Sequence, residues 1–270
     1  MEVHRIEALS QRIVQTYAWG NVVWHVWGTD RHEPLVLLHG GSGSWTHWVR
    51  NVQHLAQSRT VWALDLPGCG DSDLPVGVSD ADDLVPYVAE ILNHTFNAQA
   101  VDVLGFSFGA MTAGLVAAQH PHLIRQLVLV GAPGLGLFGR DLPMRGMQAD
   151  MDESAQRGVH RHNLNAMMFA HRDTVTDDVV DLQQANVMRD RLRRRRIART
   201  DVLARAQMHW ACPVHGVWGE FDALYTGRLA QVPQVLSRLQ SFTVVPDAGH
   251  WVMFERADAF HAAIEPLLRR

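Results

Sequence analysis

The chain lacks or is poor in several residue types that common functional sites require. Its 270 residues include no lysine, so all 24 cationic side chains are arginine. This excludes chemistry that needs a lysine amine, such as a Schiff base or the phosphate-binding P-loop. The chain has only two cysteines, Cys69 and Cys212, and no CxxC motif. A disulfide framework and a cysteine-based zinc site are therefore excluded as well.

Long apolar runs are also absent. No stretch approaches the roughly 18 consecutive apolar residues that cross a membrane. The N-terminal residues MEVHRIEALSQRIVQ lack the basic and apolar regions of a secretory signal. We therefore expect a cytoplasmic protein with no membrane partner. Sixteen histidines are present, but without an HExxH motif or a comparable ligand pair, so we expect no metal.

The composition is that of a globular protein with a substantial core. Hydrophobic residues make up 47% of the chain and charged residues 19%. The formal net charge of −4 argues against a nucleic-acid surface. We expect a small-molecule partner and no nucleic acid, with the oligomeric state left open.

Short apolar segments alternate with longer amphipathic ones. Several short segments are nearly continuous Val, Leu and Trp, which is typical of parallel strands buried on both faces. The alternation predicts an α/β fold with a mostly parallel sheet of about eight strands, flanked by helices. Strands are predicted at 22–27, 34–39, 60–65, 101–106, 126–131, 214–219 and 242–247, and helices at 45–57, 79–95, 108–119, 227–238 and 252–268.

One connection is too long for a single crossover helix. The stretch from Ala132 to Pro213 separates two predicted strands and has helix-like patterns but no convincing strand. We expect residues 134–210 to form a helical cap inserted after the sixth strand, over the strand ends where α/β sheets bind ligands. Residues 1–133 and 211–270 would then form the core domain. The alternative is a surface excursion with no role in the site.

The sequence GFSFG at 105–109 follows a predicted strand and opens a predicted helix. This context predicts a sharp turn that exposes Ser107 as a nucleophile. Such a turn crowds the backbone, so glycine is needed two positions away on each side. The helix N-terminus would direct free N–H groups at the reacting oxygen.

A serine hydroxyl is a weak nucleophile unless a base accepts its proton. His250, in the loop after the last predicted strand, is the candidate base. The acid that orients the base should follow the preceding strand, where Asp222 is the candidate and Glu220 the alternative. This places serine, acid and histidine in the order that nucleophile-elbow hydrolases use. A surface loop histidine without a catalytic role is the alternative for His250.

When a serine attacks a carbonyl group, the carbonyl oxygen becomes an oxyanion that two backbone N–H groups must stabilise. One candidate is the N–H of Phe108, the residue after the nucleophile. The other comes from HGGSGSW at 39–45, where Gly41 is the candidate and the neighbouring Ser42 a further donor. A phosphate-binding loop is the competing interpretation, but this segment lacks the Walker lysine and the dinucleotide spacing.

Five motifs follow one another along the chain, namely HGGSGSW, DLPGCGDS, GFSFG, GEFD and AGHW. Through them the chain resembles the α/β-hydrolase superfamily over most of its length. This resemblance implies the α/β-hydrolase fold and a catalytic triad of Ser107, Asp222 and His250, with no cofactor. No catalytic residue is assigned to DLPGCGDS, which we interpret as a structural turn.

Within the superfamily, the chain resembles capped serine carboxylesterases and meta-cleavage-product hydrolases. The latter cut a C–C bond in acidic dienols from aromatic degradation. They usually carry a small polar residue where this chain has Phe106, and their carboxylate-binding cap arginine falls near Gln183. Both departures favour an ester. We therefore expect a serine hydrolase that cleaves a carboxylic ester of a small apolar or aromatic substrate through an acyl-enzyme on Ser107. C–C hydrolysis by the same triad, other acyl-transfer or lactone chemistry, and a non-catalytic ligand receptor are the alternatives.

Two further features concern the substrate pocket. The run MRDRLRRRRIAR at 188–199 contains seven arginines. We interpret it as a solvated surface helix, and the alternatives are a segment that attracts an anionic substrate or one that contacts nucleic acid or a partner protein. Several apolar side chains are candidate pocket walls, although each fits the core equally well. These candidates are Phe106, Phe108, Phe138, Met167, Met168, Phe169 and Trp251.

Overall fold

The computed structural model describes residues 2–29, 33–137, 141–192 and 194–268. Within these residues, eight strands form one sheet in the order β1-β2-β4-β3-β5-β6-β7-β8. β2 runs antiparallel to β1 and β4, and the other neighbours are parallel. The predicted α/β fold with a mostly parallel sheet is confirmed. The strands are β1 (Gln11–Tyr17), β2 (Gly20–Trp27), β3 (Pro34–Leu38), β4 (Thr60–Leu64), β5 (Val101–Phe106), β6 (Ile124–Val130), β7 (Val214–Gly219) and β8 (Ser241–Val245).

Helices flank the sheet. The predicted helix at 108–119 has the predicted bounds, whereas the one at 252–268 is divided into two at Arg256, whose backbone leaves the helical region (φ −131°, ψ 58°). The helices of the described residues are α1 (Glu2–Glu7), α2 (Val52–Leu55), α3 (Ala81–Thr95), α4 (Phe108–Gln119), α5 (Glu153–Asn163), α6 (Asp177–Met188), α7 (Val202–Ala206), α8 (Val232–Val235), α9 (Val252–Glu255) and α10 (Ala257–Leu268).

The apolar core lies in two layers, one on each face of the sheet. Alternate residues of β3 belong to opposite layers, because successive side chains of a strand point to opposite faces. β5 is buried along its whole length, as expected for a central parallel strand. β1 is not among the predicted strands. It is an edge strand with no fully buried residue, so it lacks the apolar run that identifies the others.

The long connection between β6 and β7, hereafter the insertion, contains α5, α6 and α7. A π-helical turn, Leu164–Met168, extends α5, and no strand occurs in the described part of this segment. The surface helix suggested for 188–199 is wrong, since α6 ends at Met188. Beyond it, the Arg191 N–H donates to the Gly68 carbonyl at 2.8 Å. The backbone therefore bonds to a loop of the core instead of continuing the helix.

A buried ionic cluster joins three strands at the end of the sheet opposite their carboxyl termini. Asp102 of β5 accepts hydrogen bonds from Arg59, next to β4, at 2.5 Å and from Arg125 of β6 at 2.6 and 2.7 Å. The side chains of Asp102 and Arg59 are each only 4% exposed. A buried charge that loses its partner is strongly destabilising, so the cluster should matter for stability and not for chemistry.

We predict that Asp102→Ala lowers the free energy of unfolding by about 3 kcal/mol, because the substitution leaves the Arg59 guanidinium buried without its nearest carboxylate. Glu33 remains, 3.6 Å from that guanidinium. The matched control is Asp201→Ala, which breaks an exposed pair with Arg205 and should cost less than about 1 kcal/mol. Urea unfolding measures both values. Equal losses in the two variants would contradict the role of the cluster.

Candidate active site

Ser107 lies at the turn between β5 and α4. Its backbone has φ 49° and ψ −116°, a combination that costs free energy for any residue with a Cβ atom. The Ser107 N–H donates to the Val130 carbonyl of β6 at 2.8 Å, and the Ser107 carbonyl accepts from Met111 at 3.0 Å. The turn is thus held from both sides, and it carries the hydroxyl to the carboxyl edge of the sheet.

The two flanking glycines are required by close approaches of the backbone. A Cβ atom on Gly105 would lie 2.5 Å from the Cα atom of Ala110 in α4. One on Gly109 would lie 2.4 Å from the carbonyl oxygen of His39. Neither backbone atom can move aside without shifting a helix or a strand. The GFSFG spacing therefore lets α4 pack directly against the end of the sheet.

The structure brings Ser107, His250 and Asp222 into one hydrogen-bonded row. Ser107 Oγ is 2.9 Å from His250 Nε2, and His250 Nδ1 is 2.8 Å from Asp222 Oδ2. The His250 and Asp222 side chains are 1% and 0% exposed. With Nδ1 carrying the proton and donating to the carboxylate, Nε2 is left to accept the serine proton. Asp222 Oδ1 also accepts the Leu224 N–H at 3.0 Å, which fixes the carboxylate.

Glu220, the alternative acid, lies elsewhere. Its side chain is exposed, and its Oε2 accepts the Asp247 N–H at 2.9 Å. It therefore stabilises the turn after β8 and does not contact His250 through any described hydrogen bond.

The loop after β3 starts from a histidine held in one tautomer. His39 Nδ1 donates to the Gly40 carbonyl at 2.7 Å, and Nε2 accepts the Leu66 N–H at 2.9 Å. Burial lowers the pKa of His39 to about 4, so the ring is neutral near pH 7. The loop continues over Gly41 and Ser42, which line the same cavity as Ser107 and Phe108. The residues of all three candidate oxyanion donors thus line the cavity that the candidate nucleophile faces.

This cavity has a volume of about 420 Å³. The structure places four of the predicted wall residues in its lining, namely Phe106, Phe108, Met167 and Met168. A second cavity of about 260 Å³ adjoins it and shares Met167 and Met168. Residues not named as pocket walls from the sequence also line the main cavity. They are Pro133, Asp141, Leu142, Met144 and Leu224, together with Arg195, Ala198 and Arg199 of the 188–199 run.

Three predicted wall residues have other outcomes. Trp251 and Phe169 are not among the described residues that line the cavity. Their rings pack against each other, with centroids 5.5 Å apart, in the core next to His250. Both are apolar and buried, a pattern that does not distinguish core from pocket. Phe138 lies outside the described residues.

Arg195, like Arg199 of the 188–199 run, lines the cavity of the candidate site. Its Nη2 donates to Asp190 at 2.8 Å, and its guanidinium carbon lies 5.1 Å from the centre of the Phe108 ring. Its Nε is buried and has no hydrogen-bond partner among the described atoms. A motif search does not single it out, because it is one of seven arginines in that run.

A cleft outside the candidate site contains none of the three triad candidates among its described lining residues. It has a volume of about 490 Å³, lies between α1 and the insertion, and is lined by residues that include His4, Arg50 and Asp178. The described residues contain no group of three or more His, Cys, Asp or Glu side chains that could hold a metal ion. None of the described helices is long and apolar enough to cross a membrane.

Comparison with known proteins identifies the family. A sequence model of the alpha/beta hydrolase family matches residues 35–263. The chain belongs to this family. The dihydrolipoyllysine-residue acetyltransferase component of the acetoin cleaving system of Pseudomonas putida is 30% identical over 257 residues, covering 92% of this chain and 66% of that protein. The chain therefore spans just under two thirds of that relative's length.

A second relative matches over most of both chains. The 2-hydroxymuconate semialdehyde hydrolase of Pseudomonas sp. (strain CF600) is 27% identical over 254 residues, covering 87% of this α/β-hydrolase and 86% of that protein. Among solved structures, a thermophilic esterase from Thermogutta terrifontis has a TM-score of 0.70 and 20% identity, covering 96% of this chain and 98% of that one. At that identity the likeness shows the fold alone.

A substitution at Gly105 tests the close packing of α4 in this α/β-hydrolase. Gly105→Ala should lower the free energy of unfolding by about 1–3 kcal/mol, because the new methyl group overlaps the α4 backbone. The control is Gly158→Ala in α5, where a Cβ atom meets nothing within 4 Å; this should raise stability by up to about 1 kcal/mol. Thermal and urea unfolding measure both. A Gly105→Ala variant as stable as the wild type would show that the turn tolerates a side chain.

Proposed function

We propose that this protein is a serine hydrolase that cleaves a carboxylic ester of a small apolar or aromatic substrate through an acyl-enzyme on Ser107. The observation that carries the proposal is the row of two hydrogen bonds, 2.9 Å and 2.8 Å, that joins Ser107 to His250 and His250 to Asp222. This row ends at a hydroxyl on the wall of a cavity of about 420 Å³. Its order and geometry fit nucleophile activation by a base.

In the first half-reaction, Ser107 Oγ attacks the ester carbonyl carbon while its proton moves to His250 Nε2. The imidazolium that forms is stabilised by Asp222, which accepts the Nδ1–H and remains ionised. The tetrahedral intermediate then collapses. The bond from carbon to the alkoxy oxygen breaks, and His250 gives its proton to the leaving alcohol. An acyl ester on Ser107 remains.

In the second half-reaction, water replaces the alcohol. His250 accepts a proton from the water, whose oxygen attacks the acyl carbon, and the Ser107 oxygen leaves with the proton that His250 returns. In both halves the carbonyl oxygen becomes negatively charged. The N–H of Phe108, at the start of α4, and that of Gly41 are the proposed donors to this oxygen, with Ser42 beside them. The partial positive charge at the α4 N-terminus acts in the same direction.

The substrate class follows from the cavity. Its walls include Phe106, Leu142, Met144, Met167 and Met168, which favour an apolar group on the acyl or alcohol side. Methionine side chains adapt to groups of different shape. The volume fits a small aromatic or short aliphatic ester.

We further propose that residues 134–210 act as a helical cap, or lid, on a core domain formed by 1–133 and 211–270. The support is local. Met167 and Met168 of the insertion line the cavity, and the carbonyl of Met168 accepts the N–H of Trp251, next to His250, at 2.8 Å. A segment so placed would form one wall of the substrate pocket and exclude water from it.

Substitutions in the triad test the proposed mechanism. Ser107→Ala and His250→Ala should each lower kcat by roughly 10⁶, by analogy with protease triads, and the double variant should be little worse. Asp222→Asn should cost roughly 10⁴, because it spoils the histidine tautomer. Hydrolysis of p-nitrophenyl butyrate is the measurement.

Glu220→Gln is the matched control, since it neutralises the other carboxylate of the same loop. Its side chain accepts the Asp247 N–H, an interaction that glutamine preserves, so kcat should change little. Were Glu220→Gln to damage kcat more than Asp222→Asn, the acid assignment would be wrong.

C–C hydrolysis is the second candidate function. The 2-hydroxymuconate semialdehyde hydrolase relative supports it, and so does the cation that Arg195 places in the cavity lining. A guanidinium could hold the carboxylate of an acidic dienol. Gln183 lies near the position at which the resemblance implies the carboxylate-binding arginine. Of the cavities described, it lines only the adjoining one of about 260 Å³. Its Oε1 is buried and has no described hydrogen-bond partner.

A two-substrate comparison separates the candidates. We predict a higher kcat/KM for p-nitrophenyl butyrate than for a 2-hydroxy-6-oxo-dienoate ring-fission product. Arg195→Gln should lower kcat/KM for the dienoate by roughly 10- to 100-fold, the value of a hydrogen bond to a charged group, and should affect the neutral ester less. Arg196→Gln removes an exposed arginine of the same run and is the control. A strong preference for the dienoate would favour the second candidate.

A further inference from the structure

We propose that Asp190, in the insertion, is a positioning residue for the oxyanion loop, here residues 39–45. Its carboxylate holds Ser42 in a left-handed conformation and thereby fixes the peptide between Gly41 and Ser42 beside Ser107. The inference rests on the proposed function, because it assigns the loop its part in acyl transfer.

Ser42 has a backbone conformation that is unfavourable for a residue with a side chain. Its φ of 49° lies in the left-handed region, where a Cβ atom crowds the following carbonyl. Glycines stand on both sides of Ser42 in the sequence, but the position itself carries a side chain. Some interaction must therefore offset the conformational cost.

The side chain of Ser42 supplies that interaction. Its hydroxyl donates to Asp190 Oδ2 at 2.6 Å, a short bond to a carboxylate whose side chain is only 5% exposed. Such charge-assisted bonds are about twice as strong as neutral ones. The bond also joins the loop after β3, which contains Ser42, to the insertion, in which Asp190 follows α6.

Asp190 is itself held firmly. Its Oδ2 also accepts from Arg195 Nη2 at 2.8 Å, and its Oδ1 accepts the Leu192 N–H at 3.0 Å. The guanidinium compensates the buried negative charge. The carboxylate therefore presents a fixed acceptor to Ser42.

The same ion pair reaches the other candidate donors. A Cβ atom on Gly41 would lie 2.6 Å from Arg195 Nε, so the arginine lies directly on the Gly41 backbone. On its other side the guanidinium faces the Phe108 ring at 5.1 Å. The Asp190–Arg195 pair thus contacts the residues of all three candidate oxyanion donors.

A second tie secures the end of the loop. Asn186 of α6 accepts from Ser44 Oγ at 2.8 Å and donates to Thr46 Oγ1 at 2.9 Å. With both ends of the segment fixed, Ser42 is the point at which the loop can relax. If the hydroxyl bond is lost, φ of Ser42 can return to negative values. This rotates the Gly41–Ser42 peptide, which carries the Ser42 N–H, and shifts the Gly41 N–H of the preceding peptide away from the reacting oxygen.

The test compares variants at both ends of the bond with p-nitrophenyl butyrate as substrate. Asp190→Ala should lower kcat by roughly 10- to 100-fold, up to the loss of one oxyanion donor, with a smaller change in KM. Ser42→Ala should have a similar effect, and the double variant should lose no more than either one, because both remove one interaction.

Glycine at position 42 gives the distinguishing result. Glycine adopts positive φ without the Cβ penalty, so Ser42→Gly should have a kcat about tenfold above that of Ser42→Ala. Adding Ser42→Gly to Asp190→Ala should recover a similar factor. A role confined to global stability would not produce this rescue. Asp201→Ala, an exposed acid of the insertion, is the control and should match the wild type.

Each outcome decides the proposal. Unchanged kcat in Ser42→Ala, or no gain from glycine over alanine, overturns it, and the Ser42 variants retain this power even if Asp190→Ala does not fold. Labelling with a fluorophosphonate separates the two levels. If the wild type is active and labelled at Ser107, and the Asp190 and Ser42 variants behave like it, only the role of Asp190 is rejected. A wild type that is neither labelled nor active rejects the proposed function as well.

Discussion

The contact between Ser107 Oγ and His250 Nε2, 2.9 Å long, is the interaction on which the site depends. It joins two turns at the carboxyl edge of the parallel sheet, and each turn has a residue with positive φ, Ser107 and Asp247. The strain at Ser107 is tolerated because Gly105 and Gly109 let α4 pack against the sheet. The fold therefore holds a serine and a histidine at bonding distance although 143 positions separate them.

The insertion is joined to both sides of this site by buried carboxylates. Asp190 accepts the Ser42 hydroxyl on one side. On the other, Glu255 accepts the N–H of Gly249, next to His250, at 2.6 Å and the N–H groups of Ala170 and His171 at 3.1 and 2.8 Å. A buried carboxylate that satisfies several N–H groups resists displacement. The cavity and the loops that carry Ser42 and His250 are thus parts of one packed unit. We therefore expect substitutions in the insertion to alter the proposed catalysis.

The parts of this arrangement that follow from local physics could be predicted from the sequence. Short apolar segments located seven strands, and the GFSFG spacing located the sharp turn that carries Ser107. Strand order then placed Asp222 and His250 at the same edge. The path of residues 189–192 could not be predicted, because it depends on the bond from Arg191 to the distant Gly68. The positions of Asp190 and Arg195 could therefore not be predicted either. Trp251 and Phe169 show the other limit: buried aromatic residues line a pocket or fill a core with the same sequence pattern.

The central claim is that Ser107 is a nucleophile activated by His250, and covalent labelling tests it most directly. The folded protein should react with a fluorophosphonate to gain one adduct per chain by intact mass, and peptide mapping should place it on Ser107. Ser107→Ala should gain none, and His250→Ala should react far more slowly, because the serine proton then has no acceptor. An adduct on another residue, or a folded wild type that stays unlabelled, would contradict the account.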